Sequence, residues 1–211
     1  MARRRAARST TLIFGLATLL AACTSDGGDE GGEQAGGAGD GEAGATAPTT
    51  TEGGGTSVQE FQLTSATNPS LSVEIPDSPI ATAPAEFDGY SLDVFALQRE
   101  SEQSVVLVFG LRDDGDGRKT FQRELEDPAV EAPVDYAISG VALFDAVNLK
   151  RHLVSLDEDG GCLCSTTSTV TVEPGETLRL AALFPAPPDD VDAMTVQTPI
   201  GAVSDVPLAD E

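Results

Sequence analysis

From residue 58 to about 208 the apolar positions come in short runs, and the runs have the period of strands. Residues 103–112 (QSVVLVFGLR) are β-branched and aromatic and apolar on both faces. That pattern predicts a strand central in its sheet, with Val105, Leu107, Phe109 and Leu111 on one face. Residues 169–172 (TVTV) alternate, turn at Glu173-Pro174-Gly175-Glu176, and resume over 177–184, where Leu178, Leu180, Ala182 and Phe184 point inward. Shorter strands are predicted at 60–63, 71–75, 90–97, 138–144, 151–156 and 193–198. The turn signals between them are Asp88-Gly89, Asp114-Gly115, Asp116-Gly117 and Asp159-Gly160. One or two helical turns are expected over 118–127 (RKTFQRELED), ended by Pro128. Eight or nine short strands at turn-marked spacing predict an all-β fold, a β-sandwich over residues 58–211. With no Trp to pin an antibody-like core, it is immunoglobulin-like in the loose sense.

Residues 1–22 carry a different pattern. Arg3, Arg4, Arg5 and Arg8 precede an apolar run, TLIFGLATLL at 11–20, and Leu20-Ala21-Ala22-Cys23 closes it. A basic start, an apolar stretch and small residues before a cut are the parts of a secretory signal. The run is well short of the ~20 residues that span a hydrocarbon core. Leu at −3, small residues at −2 and −1, and Cys at +1 match a lipobox. Cleavage is expected between Ala22 and Cys23, with Cys23 acylated as the new N-terminus. Several acyl chains at ~0.8 kcal/mol per buried CH₂ give stable anchoring in a bilayer.

Residues 23–57 have the composition of a tether. Beyond Cys23 the segment is rich in Gly, Ala, Thr, Asp and Glu, with no Lys or Arg and no large apolar side chain until Val58. Such a stretch cannot bury enough apolar surface to offset its ordering entropy. Loss of the four leader arginines leaves 8 basic residues against 35 acidic, a formal −27 for the mature chain. This charge argues against nucleic acid and anionic lipid surfaces as partners, since both need basic footprints.

Four pieces together carry a resemblance: Gly140-Val141-Ala142-Leu143-Phe144-Asp145, residues 150–165 (KRHLVSLDEDGGCLCS), the Glu173-Pro174-Gly175-Glu176 turn, and residues 184–191 (FPAPPDDV). In that order they resemble the extracytoplasmic β-domain that precedes an OmpA-like module in some actinobacterial envelope proteins. The wider pattern is similar to telokin-like sandwich domains of bacterial lipoproteins. The resemblance covers residues 90–207 and implies a fold and a compartment. No OmpA-like module follows before Glu211, so peptidoglycan binding is not carried over, and the resemblance supplies no activity.

Once Cys23 is acylated, Cys162 and Cys164 remain as an even pair in an oxidising compartment. Three states are open to them: a disulfide, free thiols, or a metal site with His152 as third ligand, a set suited to copper or zinc. A bridge requires Leu163 in a tight turn, because the two Cα atoms must come within ~6.8 Å. So short a loop contributes only ~1.5 kcal/mol on the chain-entropy estimate, which predicts a bridge that shapes a loop more than it holds the fold. Asp113-Asp114-Gly115-Asp116-Gly117 resembles a calcium loop superficially, but Arg118 occupies the next ligand position. A hairpin turn is expected there, and a turn likewise at Asp157 and Asp159.

No catalytic set or cofactor loop is visible, and neither an enzymatic activity nor a cofactor is expected. The chain reads as a membrane-anchored extracytoplasmic lipoprotein whose sandwich binds an envelope protein or ligand. The alternative is a metal-handling lipoprotein using Cys162, Cys164 and His152.

Overall fold

The computed structural model describes residues 55–65, 69–87, 89–127, 136–167 and 170–210. The expected signal, with Ala22 and Cys23, and the tether up to residue 54 lie outside these residues. Thr50–Glu211 forms one compact unit. Its strands are β1 (Thr56–Gln62), β2 (Ser70–Pro76), β3 (Ala81–Pro84), β4 (Tyr90–Ser101), β5 (Ser104–Asp113) and β6 (Lys119–Thr120). They continue as β7 (Ala142–Asp145), β8 (Lys150–Leu153), β9 (Thr171–Val172), β10 (Thr177–Pro185), β11 (Ala193–Thr198) and β12 (Gly201–Pro207). The described residues contain no helix.

Two four-stranded antiparallel sheets face each other, ordered β10-β5-β4-β3 and β12-β11-β7-β8. The protein is therefore an all-β sandwich. Between the sheets lie Val105, Leu107, Phe109 and Leu111 of β5, Leu180, Ala182 and Phe184 of β10, Leu143 of β7, and Met194 and Val196 of β11. The inward face expected for β5 and β10 is the one observed, because a period of two puts alternate residues on one side of the pleat.

The other face of β5 is equally buried, and the reason is a third layer. The β1–β2 hairpin lays Phe61, Leu71, Val73 and Ile75 over Phe95, Ala96, Val106, Val108 and Ala181. Each apolar side chain so covered contributes roughly 1.5–3 kcal/mol over exposure. A bulge in β4 helps this surface form. Val94 pairs with Phe109 and Ala96 with Val108, so Phe95 is the extra residue and joins the cluster under the hairpin. Gly110 continues that face, and a Cβ there would collide with Thr177 Cγ2 and stand 3.2 Å from the Phe95 ring. Leaving it bare lets Arg179 lie over Phe95, its guanidinium carbon 4.4 Å from the ring centroid.

Several expectations are corrected. The helical turns over 118–127 do not form: Lys119 and Thr120 pair with β9, and the chain then turns, with the Glu126 N–H donating to the Arg123 carbonyl at 3.2 Å. β3 and β12 carry no strong apolar run: β3 is Ala-Thr-Ala-Pro, and β12 sends just Val203 and Val206 into the core. β1 takes in Thr56 and Ser57, which composition alone places in the tether. Residues 113–117 make a turn but no hairpin, since β5 pairs with β4 and β10 while β6 pairs with β9.

Candidate functional site

The distinctive chemistry sits where residues 155–165 run beside β10. The Leu183 N–H donates to the Leu163 carbonyl (2.9 Å), the Ser165 N–H to Ala181 (2.8 Å), and the Leu163 N–H to Ser155 (2.9 Å). From beyond β1, the Thr64 N–H reaches the Cys164 carbonyl at 2.7 Å. The Cys-Leu-Cys segment therefore clasps three parts of the fold. Cys162 and Cys164 face the main core while Leu163 packs toward the hairpin layer.

The sulfurs of Cys162 and Cys164 lie at bonding distance, with the Cα atoms 5.2 Å apart. Two residues of extended strand would separate them by about 6.6 Å, so a bend at Leu163 closes the gap, as the disulfide reading requires. Upstream, Asp157 shapes the approach. Its Oδ1 accepts from the N–H of Asp159 (3.0 Å) and of Gly161 (2.6 Å), and Gly160 takes φ 82°, where a Cβ would be strained. The bridge is in the core all the same: Cys162 is 2% exposed and Cys164 0%.

His152, on β8, is 2% exposed. Its Nδ1 lies 3.0 Å from the Pro185 carbonyl, which can only accept, so Nδ1 carries the proton and ties β8 to the end of β10. Among the described residues no three His, Cys, Asp or Glu side chains converge to hold a metal ion. Cys162, Cys164 and His152 are thus not assembled as a ligand set.

The acidic turn at 113–117 is occupied by internal bonds. Asp113 Oδ1 accepts from the Gly115 N–H at 2.8 Å. Asp114 pairs with Arg112 at 2.7 Å, and Arg112 also meets the buried Asp93 at 2.9 Å. Hydrogen bonding to Asp93, opposed by partial burial, raises the Arg112 guanidinium above its ordinary value. Close by, Tyr90 stacks at a tilt on Phe121, ring centroids 4.9 Å apart. Burial first, then the carboxylates of Asp113 and Glu124, push its hydroxyl up to about 12. It is a neutral phenol at physiological pH.

A feature that the strand pattern does not reveal is the β7–β8 turn. Asp145 is fully buried and its carboxylate accepts from the N–H groups of Val147 and Asn148, both at 2.9 Å, and from Asn148 Nδ2 at 2.8 Å. An Asp three residues before an Asn in a turn is the local signal that could have found it. Burial by itself raises this carboxyl. The hydrogen bonds from Asn148 and Val147, with His152 near, outweigh it and hold Asp145 below the ordinary carboxylate range. A group depressed in this way contributes stability above its unfolded pKa, about 3.9, and loses it as pH falls through the lower folded value. Asp145→Ala is expected to cost about 1–3 kcal/mol at neutral pH and to weaken the acid sensitivity of folding below about pH 4. Urea midpoints at neutral and acid pH check this. Equal acid sensitivity in both proteins would contradict it.

A cleft of about 350 Å³ is lined by Val170, by residues of β9 and β10 and by Glu176 in the turn between them, the one titratable group on it among the described residues. Compared with known proteins, the chain matches no family model, no curated protein and no solved structure.

Proposed function

We propose that this chain is a bacterial lipoprotein: cut before Cys23, held in the cytoplasmic membrane by acyl chains on that residue, and displaying one sandwich domain on the extracytoplasmic side. The observation that carries the reading is Leu20-Ala21-Ala22-Cys23 behind an arginine-rich start and a short apolar run. The acidic, Gly-rich stretch between Cys23 and the first strand has the composition of a spacer.

The sandwich is of the immunoglobulin-like type. Its support is strand order: β12-β11-β7-β8 follows the order G-F-C-C′ of a variable-type sheet, and β10-β5-β4 follows E-B-A of the opposite one. β3, paired to the outer side of β4, and the β1–β2 hairpin are then additions to that plan. The domain works without catalysis, as a binding module for an envelope protein or ligand.

Cys23→Ser tests the anchor. The variant is expected to accumulate as an uncut precursor without lipid, whereas the parent chain yields an N-terminal peptide carrying acyl chains on Cys23. Equal lipid labelling of the two proteins would refute the reading.

A further inference from the structure

The β1–β2 hairpin is pinned at its turn end from far along the chain. Just past β1, Thr64 brings two donors to one acceptor. Its N–H lies 2.7 Å from the Cys164 carbonyl, and its hydroxyl lies 2.8 Å from the same oxygen. Leu63, beside it, is buried in the cluster under the hairpin, and Leu163 packs against that cluster. The Leu63 N–H also donates to the Pro69 carbonyl at 3.0 Å, which closes this end of the hairpin. The hairpin is therefore held where Cys164 is held.

Cys164 stands at a corner. Cys162 pairs with Leu156 and Cys164 with Ala182, so the chain leaves one partner and takes another within two residues. The two Cα atoms are 5.2 Å apart, against about 6.6 Å for extended chain. Backbone bonds tie Leu163 to Ser155 and Leu183 in either redox state, and the sulfur bridge adds the bend between them. Without the bridge this corner relaxes toward extended chain. That moves the Cys164 carbonyl and the Leu163 side chain, the two groups that meet the hairpin.

We propose that the Cys162–Cys164 bridge is a redox lock on the β1–β2 hairpin: oxidation seats the hairpin on β4, β5 and β10, and the dithiol form leaves it loose. As the lock closes, two thiols give two protons and two electrons to a disulfide oxidant. The oxidant's S–S bond is cut to two thiols as the bond between Cys162 and Cys164 forms. The proposal rests on the lipoprotein reading for its setting, because an exported chain leaves a reducing compartment for an oxidising one. In sequence the hairpin lies between the acidic spacer and the rest of the domain, so in the dithiol state the end of the domain that leads export stays loose. Both sulfurs are buried in the folded domain, so the lock is set as the domain folds and then stays set. Burial of Phe61, Leu71, Val73 and Ile75 favours the seated hairpin in both states, and the bridge sets how often it opens.

The full chain as its host produces it is unfolded in urea, reduced, and refolded in detergent with oxidised glutathione or with a phosphine reductant. Amide hydrogen exchange is then compared between β1–β2 and β11–β12. The hairpin amides are expected to exchange at least about fivefold faster in the dithiol protein, while those of β11 and β12 change by less than about twofold. Thr64→Val removes the hydroxyl bond and keeps the bridge. It should speed hairpin exchange in the oxidised protein and add little in the dithiol one, as groups that share a network do. Equal hairpin exchange in the two redox states would overturn the proposal. So would equal effects of Thr64→Val in both states, or a dithiol protein that loosens or unfolds throughout. Mass spectrometry of Cys23 reads the anchor separately. An acylated chain whose hairpin ignores the redox state sinks the lock and keeps the anchor. A chain without acyl groups whose hairpin responds does the reverse.

Discussion

Phe109→Ala is expected to destabilise the sandwich by about 3–5 kcal/mol. Phe109 is 1% exposed and lies in the centre of β5, paired with Val94 on one side and Leu180 on the other. Its ring fills the space between the two four-stranded sheets, where removing it leaves a void that pleated backbone cannot close. Against a domain stability of roughly 5–15 kcal/mol, that loss is enough to move the urea midpoint by a large part of its value. Val108→Asp probes the opposite face of the same strand. An unpaired carboxylate under the β1–β2 hairpin is costly, so this substitution should detach the hairpin or unfold the domain. If Val108→Asp were tolerated within about 0.5 kcal/mol, as surface substitutions are, the hairpin would not cover that face.

How far the fold could be read in advance follows from what each signal measures. β5 was legible as a central strand because an apolar residue on both faces has to be covered twice. Which element supplies the second cover was not legible. Leu71, Val73 and Ile75 alternate as any half-buried strand does, and their docking on Phe95, Val106 and Val108 is a contact between residues distant in the chain. β3 and β12 escaped notice for the opposite reason, since Ala81–Pro84 has no large apolar side chain and Gly201–Pro207 has two, Val203 and Val206. The run RKTFQRELED at 118–127 suggested one or two helical turns, and pairing of Thr120 with Thr171 overrode that local propensity. At the candidate site, Cys162 and Cys164 were visible as a pair, but the Asp159-Gly160 signal before them pointed to a turn and said nothing of burial. Their burial comes from the backbone bonds of Leu163 and Ser165 to β10, which no local pattern encodes.

That burial changes what removal of the bridge should do. A loop this short gives a chain-entropy contribution of only about 1.5 kcal/mol, which would limit the effect of Cys162→Ser/Cys164→Ser to a small shift. Both positions, however, are nearly or fully inaccessible and face the apolar core. Serine there places two hydroxyls among apolar side chains, at about 1–3 kcal/mol each, so the double Ser variant is expected to lose about 3.5–7.5 kcal/mol in all. Cys162→Ala/Cys164→Ala loses the bridge without burying a hydroxyl and should be the milder change by at least about 1 kcal/mol. Urea unfolding of the three proteins separates the two contributions, and hydrogen exchange should show faster opening of the Leu163 and Ser165 amides in both variants, since these N–H groups hold the segment to Ser155 and Ala181. The parent protein should resist reduction while folded and yield two thiols once denatured, because a reductant must reach a sulfur to attack it. Ser and Ala pairs of equal stability would mean that the sulfurs are not in the core, and the bridge would return to being a constraint on a surface loop.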